Sequence, residues 1–130
     1  MSKNESAKAP IAQSSEHDQP VDVAKLDETF GTEARDEILS TFVQYTPVLL
    51  QRLATGIQDR DEKTARDVAH QLKGMSSSIY ADELLQHSLA IERVAKTDPV
   101  DWTTLQSSLP ALEVVYQKVR LYLDTVISIK

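Results

Sequence analysis

Apolar residues recur along most of this chain at steps of three and four, the spacing that gathers one face of an α-helix. Val23, Leu26 and Phe30 mark a short helix over 21–30, ended by Gly31. Thr32 has the character of an N-cap, and Glu33 and Asp36 suit the positive end of the helix it would start. That second helix is predicted from Glu33 to about Ile57. Its buried stripe would be Ile38, Phe42, Tyr45, Leu49 and Leu53, with a kink at Pro47. A turn over Gly56–Arg60 follows, and Asp59 or Asp61 caps a third helix whose stripe is Ala65, Val68, Leu72, Met75 and Ile79.

The fourth helix is predicted from Ala81 to Lys96, with Leu84, Leu85, Ser88, Ile91 and Ala95 turned inward. Asp98-Pro99 looks like the start of the last one, a cap followed by proline at the first helical position. Two interleaved seven-residue tracks run along it: Leu105, Leu112, Val119 and Val126, and Leu109, Tyr116 and Leu123. Pro110 falls among them, so this segment is either one kinked helix or two in register. Four long amphipathic helices with short connections define an all-α, antiparallel four-helix bundle, and the short extra N-terminal helix would cap one end.

Composition narrows the functions open to such a bundle. The chain has 130 residues, enough for one domain with a real core, and only three glycines, which favours helices throughout. Residues 1–20 are polar and rich in Ser, Ala, Gln and Pro, and read as a flexible tail or interdomain linker, leaving 21–130 for the bundle. A formal net charge of −6 argues against nucleic acid as the main partner. Cysteine is absent, so disulfides and thiolate metal sites are excluded. No apolar run reaches the ~18 residues of a membrane span, and 1–20 lacks the apolar centre of a signal peptide. A cytoplasmic location without membrane insertion is the expectation.

One stretch does not fit a purely structural helix: 69–77, AHQLKGMSS. Glycine inside a helix costs roughly 1 kcal/mol against alanine. At 100° per residue, His70 falls almost opposite the apolar stripe, facing solvent, with Arg66, Lys73, Gly74 and Ser77 around it at −4, +3, +4 and +7. The outer face thus offers a nucleophile, two cations, a missing side chain and a hydroxyl. A neutral imidazole is nucleophilic near neutral pH. Lys73 is spaced to neutralise a phosphoryl group on the ring, Gly74 leaves a gap for a partner's approach, and Ser77 can donate to a phosphoryl oxygen. The plain alternative is a surface histidine on a charged helix. His17, in the tail, and His87, beside the core stripe of the fourth helix, read as incidental.

The run 69–96 resembles the histidine-containing phosphotransfer (HPt) domain of multistep phosphorelay signalling. Ala69, His70, Leu72, Lys73 and Gly74 match the first part of that family's motif; Ala81, Leu84, Ser88 and Glu92 match the second, with Ile91 in place of the usual Leu. Tyr80 stands where the family usually has glycine. The likeness extends more weakly over 21–129. It implies that His70 accepts a phosphoryl group from the aspartyl phosphate of a response-regulator receiver domain and relays it to another receiver. The phosphate would originate at a sensor histidine kinase, and the chain would be a free-standing shuttle or the C-terminal module of a hybrid sensor kinase. It implies a phosphoryl carrier with no ATP site and no metal or cofactor of its own, Mg²⁺ being supplied by the receiver, and a monomer. Lys73 and Gln71 would act beside the phosphoryl group, and Arg66, Gly74 and Ser77 would meet the partner.

Three other readings remain at this level. Asp67-x-x-His70 has the spacing of a di-iron bundle, although those ligands face the core. A helical docking domain that carries no phosphate is the second. The third is the dimerisation domain of a histidine kinase, which also exposes a histidine on a bundle.

Overall fold

The computed structural model describes residues 19–127, so His17 and most of the expected tail lie outside it. Among the described residues there are five helices and no strand: α1 (Val23–Phe30), α2 (Thr32–Gln58), α3 (Glu62–Ser78), α4 (Asp82–Ala95) and α5 (Trp102–Ile127). Helix α3 packs between α2 and α4, α5 closes the ring against both α4 and α2, and α1 lies on α2. Short connections make consecutive helices antiparallel. The all-α bundle with an extra N-terminal helix is as expected.

The core is a continuous aliphatic column. Leu39, Phe42, Leu53 and Ile57 of α2 meet Ala65, Val68 and Leu72 of α3, Leu84 and Ile91 of α4, and Leu105, Leu112, Val119 and Leu123 of α5. Phe42 and Tyr116 hold the α2–α5 seam, their ring centroids 6.1 Å apart. The α2 stripe departs from the expected one at two turns: Leu39 is fully buried where Ile38 is only half-buried, and Thr46 is buried whereas Tyr45 is 58% exposed. From Phe42 the buried line advances by four residues rather than three, which rotates Tyr45 out toward the α3 side. Phe30, expected to pack, is also exposed, and Leu26 alone of α1 is fully buried.

Helix ends explain the other departures. Asp22 caps α1 by accepting from the Lys25 amide, so the helix starts at Val23. Gly31, at φ +85°, takes the N-cap position of α2, and Thr32 is its first helical residue without a capping bond. Of the two candidate caps for α3, Asp61 does the work, accepting from the amide and hydroxyl of Thr64. Gly56 belongs to α2, not to the turn. Asp98-Pro99 does not open α5: it lies in a turn where the Thr97 hydroxyl bonds the carbonyls of Val94 and Pro99. Asp101 is the cap instead, 3.0 Å from the Thr104 amide and 2.7 Å from its hydroxyl. Helix α2 continues through Pro47, and α5 through Pro110 as one helix. Both prolines are on exposed faces, where the carbonyls freed by the missing N–H groups can reach water.

Two helices end in the same way. The amide of Asp61 bonds the Gly56 carbonyl, and that of Arg60 bonds Ile57; at the end of α3, Ala81 bonds Ser76 and Tyr80 bonds Ser77. These six-to-one and five-to-two pairs need a left-handed residue between helix and turn. Arg60 and Tyr80 supply it at φ +56° and +57°. The usual glycine of the family motif would sit at position 80 without strain, whereas an L-residue there costs about 1–2 kcal/mol. Tyr80 is held by its neighbours: Lys25 Nζ lies 5.1 Å above its ring, and the Asp22 amide bonds its carbonyl at 3.3 Å.

Candidate functional site

Helix α3 carries His70 on its outer side because Val68, Ala69, Leu72 and Ser76 take the inner one. The side chain is 65% exposed, yet one edge of the ring is anchored. Nδ1 lies 2.8 Å from Oε2 of Glu92, which reaches across from α4 and is itself only 3% exposed. A carboxylate that is ionised can only accept, so Nδ1 carries the proton and donates it. The basic nitrogen of the neutral ring is then Nε2. The fold fixes the tautomer.

Glu92 is held by more than the histidine. Lys73 Nζ lies 3.0 Å from Oε1, and Lys96 Nζ lies 3.3 Å from Oε2. Burial by itself would push this carboxyl upward. The bonds from Lys73, His70 and Lys96 outweigh it and hold the group down at about 2. A buried carboxylate with three donors around it therefore stays charged at every physiological pH. Its backbone place follows from α4, where Leu84, Ser88, Ile91 and Ala95 set the inward line and Glu92 shares its edge nearest α3.

The residues singled out in the sequence fall as follows. Lys73 is half-buried and already ion-paired with Glu92, not poised freely over the ring. Gly74 is exposed, and a methyl group built on it would meet nothing within 4 Å. Gln71 and Ser77 are exposed and Arg66 is half-buried, all on the outer side of α3. Asp67 pairs with Lys63, 2.6 Å away and one turn back. No cluster able to hold a metal ion occurs among the described residues. His87 is half-buried on α4.

Glu92 and Lys96 belong to the site although the sequence reading places Glu92 only as a motif position, because its helical phase beside the core carries no mark of a charge-bearing role. The signal for it is the pairing itself: an acid on the inner edge of one helix, opposite a His and a Lys on the next. Tyr45 and Val48 of α2 add apolar surface that the stripe does not predict; both are more than half exposed. The α2–α3 groove beside them is lined by Ile38, Thr41, Phe42, Met75 and Ile79.

A helical bundle that offers one exposed imidazole, orients it by a buried carboxylate and sets lysines around both has the parts of a phosphoryl carrier. The family model described as Hpt domain matches residues 37–127, from the first turns of α2 to the end of α5. The chain belongs to the Hpt family, whose domains perform histidine phosphotransfer within phosphorelays, acting as carriers rather than as enzymes with an ATP site and interacting with receiver domains and kinases. Helix α1 lies outside the matched span. No curated protein and no solved structure gave a significant match. No described helix is long and apolar enough to cross a membrane.

Proposed function

We propose that His70 is the phosphoacceptor and that Nε2 is the atom that takes the group. The observation that carries this reading is the 2.8 Å contact between Nδ1 and the buried, ionised Glu92, which leaves the opposite nitrogen of a largely exposed ring basic. The Nε2 lone pair attacks the phosphorus of a receiver's aspartyl phosphate. The Nε2–P bond forms as the acyl O–P bond breaks, and the receiver's carboxylate leaves with the electron pair. Nδ1 keeps its proton throughout, so positive charge grows on the ring as the bond forms. Glu92 faces that charge at the moment it develops, without rearrangement. Delivery to a second receiver is the reverse reaction. Mg²⁺ and the aspartate belong to the receiver in both directions, and the transition state is a loose one in which positioning and charge matter most.

Lys73 is the cation closest to the phosphoryl group along α3, one turn from the ring. Gln71 orients the group from the α2 side. Arg66, Gly74 and Ser77 form the docking face, extended onto α2 by the exposed Tyr45 and Val48. A local patch of this kind accommodates an acidic receiver pocket in spite of the chain's net charge of −6. The chemistry is the same for a free-standing shuttle and for a module of a hybrid sensor kinase. Incubation with phosphorylated receiver domains should give the chain an acid-labile, alkali-stable phosphate, absent in His70→Gln. Labelling that persists in that variant would dismiss His70 as the acceptor.

A further inference from the structure

Two lysines serve one buried carboxylate, and phosphorylation of the neighbouring ring gives one of them a second task. Lys73 sits on Oε1 of Glu92 in the structure and is also the near cation for a phosphoryl group on Nε2. A dianion arriving there competes for its ammonium. Were Lys73 the sole lysine on Glu92, turning it outward would leave a carboxylate that is 3% exposed with Oε1 unpaired and only the ring Nδ1–H on Oε2, and a buried charge that loses a partner is destabilised. The carboxylate would then be held at one oxygen alone and free to swing away from Nδ1–H.

Lys96 removes that conflict. Its ammonium lies 3.3 Å from Oε2, the same oxygen that accepts from Nδ1, and leaves Oε1 to Lys73. Its backbone is fixed where α4 ends: the Lys96 amide bonds the carbonyls of Glu92 and Arg93, so its side chain starts one turn beyond the acid it serves. The side chain is 57% exposed and reaches the site through Oε2, on the Nδ1 side of the ring rather than at Nε2. We infer that Lys96 is a positioning residue: it keeps Glu92 charged and aimed at Nδ1 while Lys73 turns to the phosphoryl group. This rests on His70 being the phosphoacceptor.

The test uses the whole chain and phosphoramidate, a small donor whose ammonia leaves as the Nε2–P bond forms, so no receiver is involved. Lys96→Met should slow phosphorylation about three- to fivefold, the scale of one partly exposed ion pair, and Lys96→Arg should restore the rate. Nitrogen-15 NMR of His70 gives a readout that a merely structural role would not move. In Lys96→Met the Nδ1–H bond to Glu92 should persist before phosphorylation, while Lys73 still holds the acid, and weaken after it. Equal rates and an unchanged Nδ1–H signal in both states would overturn the role of Lys96 while leaving His70 as acceptor. A wild-type chain that takes no phosphate from either phosphoramidate or receivers would overturn both.

Discussion

At the scale of single residues, Glu92 is the group on which the rest of the site depends. Its carboxyl is held at about 2 against an ordinary value of 4.5. The sign follows directly: a depressed folded-state value gives stability that is complete above the unfolded value and is lost as pH falls through the folded one. The window runs from about pH 5 to about pH 2, and the shift corresponds to about 3 kcal/mol. Glu92→Gln should therefore lie below the wild type in denaturant stability at pH 7, and the gap should close as the pH approaches 2. A gap independent of pH would show that the ion pairs contribute nothing. The histidine was legible in the sequence because a helix projection needs only one helix. The acid was not, because the contact joins residues 22 apart on different helices, and periodicity within one segment carries no information about what faces it.

At the scale of elements, helix existence was legible and helix ends were not. Stripes spread over a dozen or more residues average out local errors, so α2 to α5 emerge with their core faces nearly intact. Ends depend on one side chain each. Asp101, not Asp98, finds a free amide three residues ahead, and Gly31 displaces Thr32 from the cap of α2. The burial of Thr46 in place of Tyr45 has the same local origin, a choice between steps of three and four that only tertiary packing decides. Gly56 shows how tightly that junction is built: an added Cβ would stand 2.8 Å from Thr64 Cγ2 and 3.2 Å from its Cβ. Gly56→Ala should destabilise the protein by about 1–2 kcal/mol in equilibrium unfolding, since a forced backbone shift outweighs the gain in helix propensity. Unchanged or increased stability would mean that α2 and α3 slide apart freely at this end.

At the scale of the whole molecule, folding and docking make separable demands on the same helix. Gly74 faces open space, where an added Cβ meets nothing within 4 Å, so the fold does not require a glycine there. Gly74→Leu should raise the melting temperature by a few degrees, the effect of about 1 kcal/mol of helix propensity on a domain of this size. Labelling by phosphoramidate should persist, while transfer from a receiver should fall about tenfold or more through steric exclusion. Undiminished transfer would place the partner elsewhere on the bundle.

The 65% exposure of the His70 side chain has a consequence for the timing of a signal. A phosphorus–nitrogen bond formed there, as proposed, would stand in bulk water, and the described residues build no wall around it. Dryness must be brought by whichever protein docks. Between encounters the stored group would drain at a pace governed by hydrolysis, so the memory of the relay would depend on how soon the next partner arrives rather than on anything enclosed within the bundle.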